Sequence, residues 1–126
     1  MNAGQKNMLV LIAGPFRSGT NDDPALIHRN TVFMNEIALR VYKTGHLPVL
    51  GEWFALPLIA TAGSQHIGDK VFTAFFHPVA MRLLAHCDAV LRVGGLSQGS
   101  DEMVRLATGQ GKPVYFAVEE LPAVAE

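Results

Sequence analysis

Apolar and polar positions divide the chain into alternating strand-like and helix-like segments. Met8-Leu-Val-Leu-Ile-Ala13 is apolar without interruption, the pattern of a parallel strand covered on both faces. It stops at Gly14-Pro15, and a polar loop runs to Asp23. Asp23 followed by Pro24 predicts a helix start, with an acceptor at the N-cap and a proline whose φ already suits the first turn. Leu26, Phe33, Met34, Ile37, Ala38 and Val41 then recur by threes and fours on roughly one face, and Gly45 closes the helix. His46-Leu-Pro-Val-Leu50 reads as a second strand, placed at a sheet edge by Pro48.

The middle of the chain is patterned less sharply. Trp53–Ala62 is apolar and predicts a helix with Pro57 near its first turn, and Gly63–Lys70 predicts a polar loop. His77-Pro78 predicts the opening of a helix through His86, with Val79, Leu83 and Leu84 inward. Ala89-Val-Leu-Arg-Val93 is a third strand, followed by the turn Gly94–Gly99. Ser100 then caps a helix through Gln110, with Gly111 beyond it, and Lys112–Ala117 is the fourth strand. This order predicts a single α/β domain over residues 1–126: a doubly wound, flavodoxin-like or Rossmann-like parallel sheet of four to five strands with helices on both faces.

Composition narrows the class. At 126 residues the chain suits one core. Its 49% hydrophobic content and mean hydropathy of +0.23 fit a sheet buried on both sides and a subunit contact, so a homo-oligomer, dimer or higher, is expected. Ten basic residues against eleven acidic ones argue against a nucleic-acid surface or a polybasic membrane patch. The lone Cys87 excludes an internal disulfide and a CxxC zinc site. Met8–Ala13 is too short to span a bilayer, and the N-terminus lacks a signal-peptide pattern, so a cytoplasmic location is expected.

Ligands of open parallel sheets bind outside the carboxyl ends of the strands, which directs attention to Gly14–Thr20, Gly51-Glu52-Trp53 and Gly94–Glu102. In the first loop, Gly14-Pro15-Phe16-Arg17-Ser18-Gly19, backbone amides face an anion and Arg17 adds a forked donor, or the arginine is simply solvated. Thr20 stands where a P-loop lysine would be, which weakens a nucleoside-triphosphatase reading. The second loop leads into a helix N-terminus, with Ser97 and Ser100 as hydroxyl donors and Gly99 permitting close approach. The two loops together suggest a phosphate or sugar pocket. No GxGxxG pattern supports a dinucleotide, and no cofactor is expected. Asp101 and Glu102 fall in a first helical turn, where the dipole alone favours carboxylates. Glu52 beside Trp53 either grips a nucleobase with the aromatic face or marks a surface corner over a buried tryptophan. His66, Asp69 and His77 match no tight ligand spacing, so no metal is expected. Asp88, before its strand, reads as structural, and Cys87 as a small core residue.

Leu11-Ile-Ala-Gly-Pro-Phe-Arg-Ser-Gly19, Cys87-Asp-Ala-Val90, Ser97-x-Gly99 and Gly111-Lys-Pro-Val114, in that order and spacing, resemble the nucleoside 2-deoxyribosyltransferase-like superfamily, including its 2′-deoxynucleoside 5′-phosphate N-hydrolase branch. The resemblance covers most of the chain. It implies that Gly14, Pro15, Phe16 and Arg17 frame the ribosyl or phosphate end. It also implies that Ser97 stands where the monophosphate hydrolases carry serine, and a hydroxyl tolerates a phosphate that a carboxylate would repel. The family's nucleophilic glutamate falls, by counting from either flanking glycine, on Met103. Glu102 is one position short, about 100° around a helix.

The expected activity is cleavage or transfer at the N-glycosidic bond of a nucleoside 5′-monophosphate or related N-riboside. Glu102 is the first candidate for the catalytic carboxylate, followed by Asp101 and Glu52. Met103 favours a different outcome, a non-catalytic binder of a nucleotide-like ligand. A second likeness joins Gly94-Gly95, Gly99-Ser100 and Glu102 to the Gly-Gly-x-Gly-Thr loop of cytokinin-activating phosphoribohydrolases, with two extra residues between the glycines.

Overall fold

In a computed structural model, which describes residues 5–124, the chain alternates strand and helix for most of its length. The order is β1 (Leu9–Ala13), α1 (Pro24–Lys43), β2 (Leu47–Val49), α2 (Gly51–Thr61), α3 (Lys70–Leu84), β3 (Ala89–Arg92), α4 (Gln98–Gly109) and β4 (Val114–Tyr115), then a 3-10 turn at Val118–Glu120. The strands form one parallel sheet in the order β2-β1-β3-β4, so the expected α/β doubly wound architecture is present with four strands. Among the described residues no helix is long and apolar enough to cross a membrane.

The uninterrupted apolar runs of β1 and β3 follow from burial on both sides of the sheet. Val10 and Ile12 of β1 and Ala89 and Leu91 of β3 pack against Met34, Ile37, Ala38 and Val41 of α1. The alternate residues Leu11, Ala13 and Val90 pack against Leu84 of α3 and Met103 and Ala107 of α4. Period-two side-chain alternation therefore supplies two cores from one strand sequence. A third cluster closes the carboxyl end, where Phe16 and Ile27 meet Ala55 and Ile59 of α2 and Phe72 of α3.

Several predicted boundaries shift. Helix α1 begins as expected, with the Asp23 carboxylate accepting from the Ala25 amide at 2.9 Å. Helix α2 begins at Gly51, so Pro57 lies inside it rather than near the first turn. Helix α3 begins at Lys70, seven residues before His77, and runs through Pro78. Its start is set by Asp69, whose carboxylate accepts from the Phe72 and Gln65 amides, each at 2.8 Å, and from the Ser64 hydroxyl at 2.9 Å. Those donors hold the Asp69 carboxyl well below the usual carboxylate range, the Phe72 amide most of all. Helix α4 is capped by Ser97, not Ser100: the Ser97 hydroxyl accepts from the Ser100 amide at 3.2 Å. Strand β4 keeps only two residues, because it pairs with β3 alone at Val90 and Leu91.

Candidate functional site

The strand order turns outward from β1 in both directions, to β2 on one side and β3 on the other, so the crevice for a ligand opens at the carboxyl ends of β1 and β3. A cavity of about 300 Å³ lies there. Both loops singled out in the sequence reach it, through Gly14, Phe16, Arg17 and Ser18 from the first and Ser97, Gly99 and Ser100 from the second, with Met103 of α4 behind them. Gly14 permits their approach: a Cβ at this position would sit 2.9 Å from the Val93 carbonyl oxygen and 2.5 Å from Met34 Sδ. Pro15 does not line the cavity; it packs on Gly94, a residue with φ +81° that turns the second loop away from β3. Gly19 also lies outside the lining.

The three candidate carboxylates separate by environment. Glu102 lies outside the cavity and pairs with Arg105 on the solvent side of α4. Asp101 is also outside and accepts from Arg92 Nε at 3.1 Å. Arg92 in turn donates from Nη2 to the Gly95 carbonyl at 2.8 Å, fixing the turn after β3. Glu52, the last of the three in the sequence ranking, is the one that lines the cavity. It is 7% exposed, and burial pushes its carboxyl up to about 7. Desolvation disfavours the charged form, and among the described residues no cation offsets it.

The surface corner expected around Glu52 is inverted. The carboxylate is inside, whereas Trp53 is 43% exposed and donates from Nε1 to Asn35 Oδ1 at 3.1 Å. Trp53 is therefore absent from the cavity wall, and no aromatic–carboxylate grip on a base forms from this pair. Met103 occupies the position identified by counting; it is buried at the cavity and belongs to the core shared by the sheet, α3 and α4. The adjacent Glu102 points elsewhere, as one helical residue's rotation requires.

Arg17 reaches the cavity but is not free. Its Nε and Nη2 donate to the two Asp22 oxygens at 2.8 and 2.9 Å. Helix α3 adds Phe72, Phe76, His77 and Ala80 to the wall, beside residues of β1, Met34 of α1 and the Leu50-Gly51 corner. The predicted helix start at His77 left out the half of α3 that carries Phe72 and Phe76. The signal was present: Phe72, Phe76 and Val79 follow helical spacing after a capping aspartate. Phe16 stacks on Phe76 at 5.2 Å between ring centroids, and Phe76 on Phe72 at 4.7 Å, so aromatic packing joins the first loop to α3.

Asp69 of the weighed metal trio is occupied as a cap, and among the described residues no group of three or more His, Cys, Asp or Glu side chains is placed to hold a metal. Cys87 is buried, with its thiol raised to about 11 by desolvation and its Sγ donating to the Leu83 carbonyl at 3.3 Å. No family model matches the chain, and neither do any curated protein or solved structure.

Proposed function

We propose that the cavity binds an N-glycoside of the nucleoside or nucleoside 5′-monophosphate class and that Glu52 assists cleavage of the bond between sugar and base. One observation carries this reading: a buried carboxyl, raised to about 7, faces a ligand-sized cavity at the switch point of the sheet. A group with that pKa is protonated often enough to donate and ionised often enough to accept near neutrality. As the bond from the anomeric carbon to the base nitrogen breaks, the Glu52 proton passes to the departing nitrogen. Water then adds to the anomeric carbon and returns a proton to the Glu52 carboxylate. The products are free sugar (or sugar phosphate) and free base, and the acid is regenerated.

The Ser18, Ser97 and Ser100 residues in the wall supply hydroxyls for the sugar, and the Phe72 and Phe76 rings supply apolar faces for a base. The resemblance of the two loops to the deoxyribosyltransferase-like superfamily supports the same substrate class. It differs in the acid, because the position expected to carry the nucleophile is Met103. The reaction is therefore assigned to Glu52, in place of Glu102.

The test is incubation with a panel of ribo- and deoxyribonucleosides and their 5′-monophosphates, with chromatographic detection of free base. Glu52→Gln should lower turnover by about 10²–10⁴-fold, the usual worth of a positioned acid or base. Full turnover in that variant sinks the assignment. A second reading is favoured by Met103 and by the presence of one carboxylate, Glu52, among the lining residues: a binder of the same ligand class without chemistry. Ligand-dependent thermal stabilisation with no base release would select it.

A further inference from the structure

The cavity wall contains one arginine and no lysine among the described residues. That arginine, Arg17, is engaged on two sides. Its guanidinium carbon stands 5.4 Å from the centroid of the Phe72 ring. Its Nε and Nη2 meet both oxygens of Asp22 in the forked geometry that a carboxylate and a guanidinium form best. The backbone at Gly68 also lies against the guanidinium.

Asp22 is held in place by its own loop. Asn21 and Asp22 have φ of 51° and 58°, in the left-handed region that asparagine and aspartate enter more readily than most side chains. The Thr20 hydroxyl accepts from the Asp22 amide at 3.2 Å, and the Thr20 carbonyl accepts from the Asp23 amide at 2.9 Å. The hydrogen bond to Arg17 lowers the Asp22 carboxyl from its ordinary value, and the same bond raises the Arg17 guanidinium. Both partners therefore stay charged through the neutral range. His66 also acts on Asp22, through a charge interaction that lowers the carboxyl further.

We infer that Asp22 is a specificity-determining residue, neutralising the single arginine of the wall so that the substrate presents an uncharged sugar hydroxyl there rather than a 5′-phosphate. This rests on the proposed reading of the cavity as an N-glycoside site, and it narrows the substrate to nucleosides. A phosphate at Arg17 meets the Asp22 carboxylate at the same guanidinium and, above neutral pH, an ionised Glu52 in the same cavity. Both carboxylates oppose a phosphate's charge at that position. A sugar hydroxyl avoids both repulsions and still finds the serine hydroxyls. Asp22 occupies Nε and Nη2, the forked pair of donors that a phosphate at Arg17 would otherwise take.

The experiment compares thermal shifts of the unaltered protein and Asp22→Asn with three probes: inorganic phosphate, the common nucleosides, and the matching 5′-monophosphates. The unaltered protein should bind nucleosides more tightly than the monophosphates and show no phosphate-dependent shift. Asp22→Asn should gain about tenfold or more in affinity for phosphate and monophosphates, with nucleoside affinity held within about twofold. Preference of the unaltered protein for monophosphates overturns the inference, and that comparison needs no variant. An Asp22→Asn protein that folds and gains no phosphate affinity also overturns it, whatever the nucleosides do. Base release enters neither readout. Nucleoside binding without cleavage therefore defeats the proposed reaction and leaves the role of Asp22 standing, whereas base release together with tighter binding of monophosphates than of nucleosides does the reverse.

Discussion

At the amino ends of the strands, His46 is buried to 1% exposure with both ring nitrogens used. Nδ1 accepts from the Met8 amide at 3.0 Å, and Nε2 donates to the Pro122 carbonyl at 2.8 Å, an arrangement that assigns the tautomer. Nearby, Asp88 accepts from the Leu9 amide at 2.8 Å, and the Lys112 ammonium donates to the Leu84 carbonyl. At the carboxyl ends, Glu52 is almost as deeply buried, yet its carboxyl is shifted by desolvation with no offsetting partner. One end uses polar side chains, the buried His46 among them, to fasten backbone segments together. The other leaves a buried acid facing a cavity, where a ligand can complete its hydrogen bonds. The contrast marks the candidate site by what remains unmatched, and residue type alone would not separate the two.

The comparison can be broken most directly at His46. His46→Ala leaves the Met8 amide and the Pro122 carbonyl without their partner and should destabilise the fold by about 3 kcal/mol in urea unfolding. Ligand binding at the opposite rim should persist under native conditions. A loss below about 1 kcal/mol would remove the staple role.

Glu52 should show the opposite sign. Its folded pKa of about 7 lies above the ordinary 4.5. Below pH 4.5 the group is protonated in both states. As pH rises toward 7 the unfolded chain releases the proton first, so stability falls, by about 3 kcal/mol in all, and then levels off. Glu52→Gln should abolish that slope and be more stable than the unaltered protein at alkaline pH. A parallel pair of stability–pH curves would show that Glu52 is not held in a desolvated site.

Gly14→Ala sharpens the picture of the rim between these extremes. Crowding against Met34 and the Val93 carbonyl predicts a loss of about 1–3 kcal/mol together with weakened ligand binding, because the two loops must separate. Smallest of all is Leu96→Ser in the second loop: Leu96 is 92% exposed, and its replacement should change stability by less than about 0.5 kcal/mol. A larger effect would mean that Leu96 is covered by a contact outside the single chain.

Much of the fold was readable along the chain because the relevant forces are local or periodic. Asp23-Pro24 marked the start of α1, and the apolar runs of β1 and β3 marked strands with two covered faces. Helix α3 was only half legible. Pro78 suits a first helical turn, yet it sits inside the helix, where it lacks an amide for the turn before it. The Phe16, Phe72 and Phe76 stack and the Asp69 cap accompany the longer helix. Ser100 read as the cap of α4, whereas the structure assigns the cap to Ser97.

By itself the sequence determined the alternation of strand and helix and the two rim loops, because periodicity and glycine placement act over a few residues. Tertiary structure decided which acid faces the cavity. Glu102 stands beside Met103, but one helical step turns it outward to Arg105. Glu52 lies some fifty residues away in the chain, and the packing of α2 beside α3 at the rim removes it from water. Desolvation is the sum of everything folded around a group, so the pKa that singles out Glu52 exists only once those elements have met.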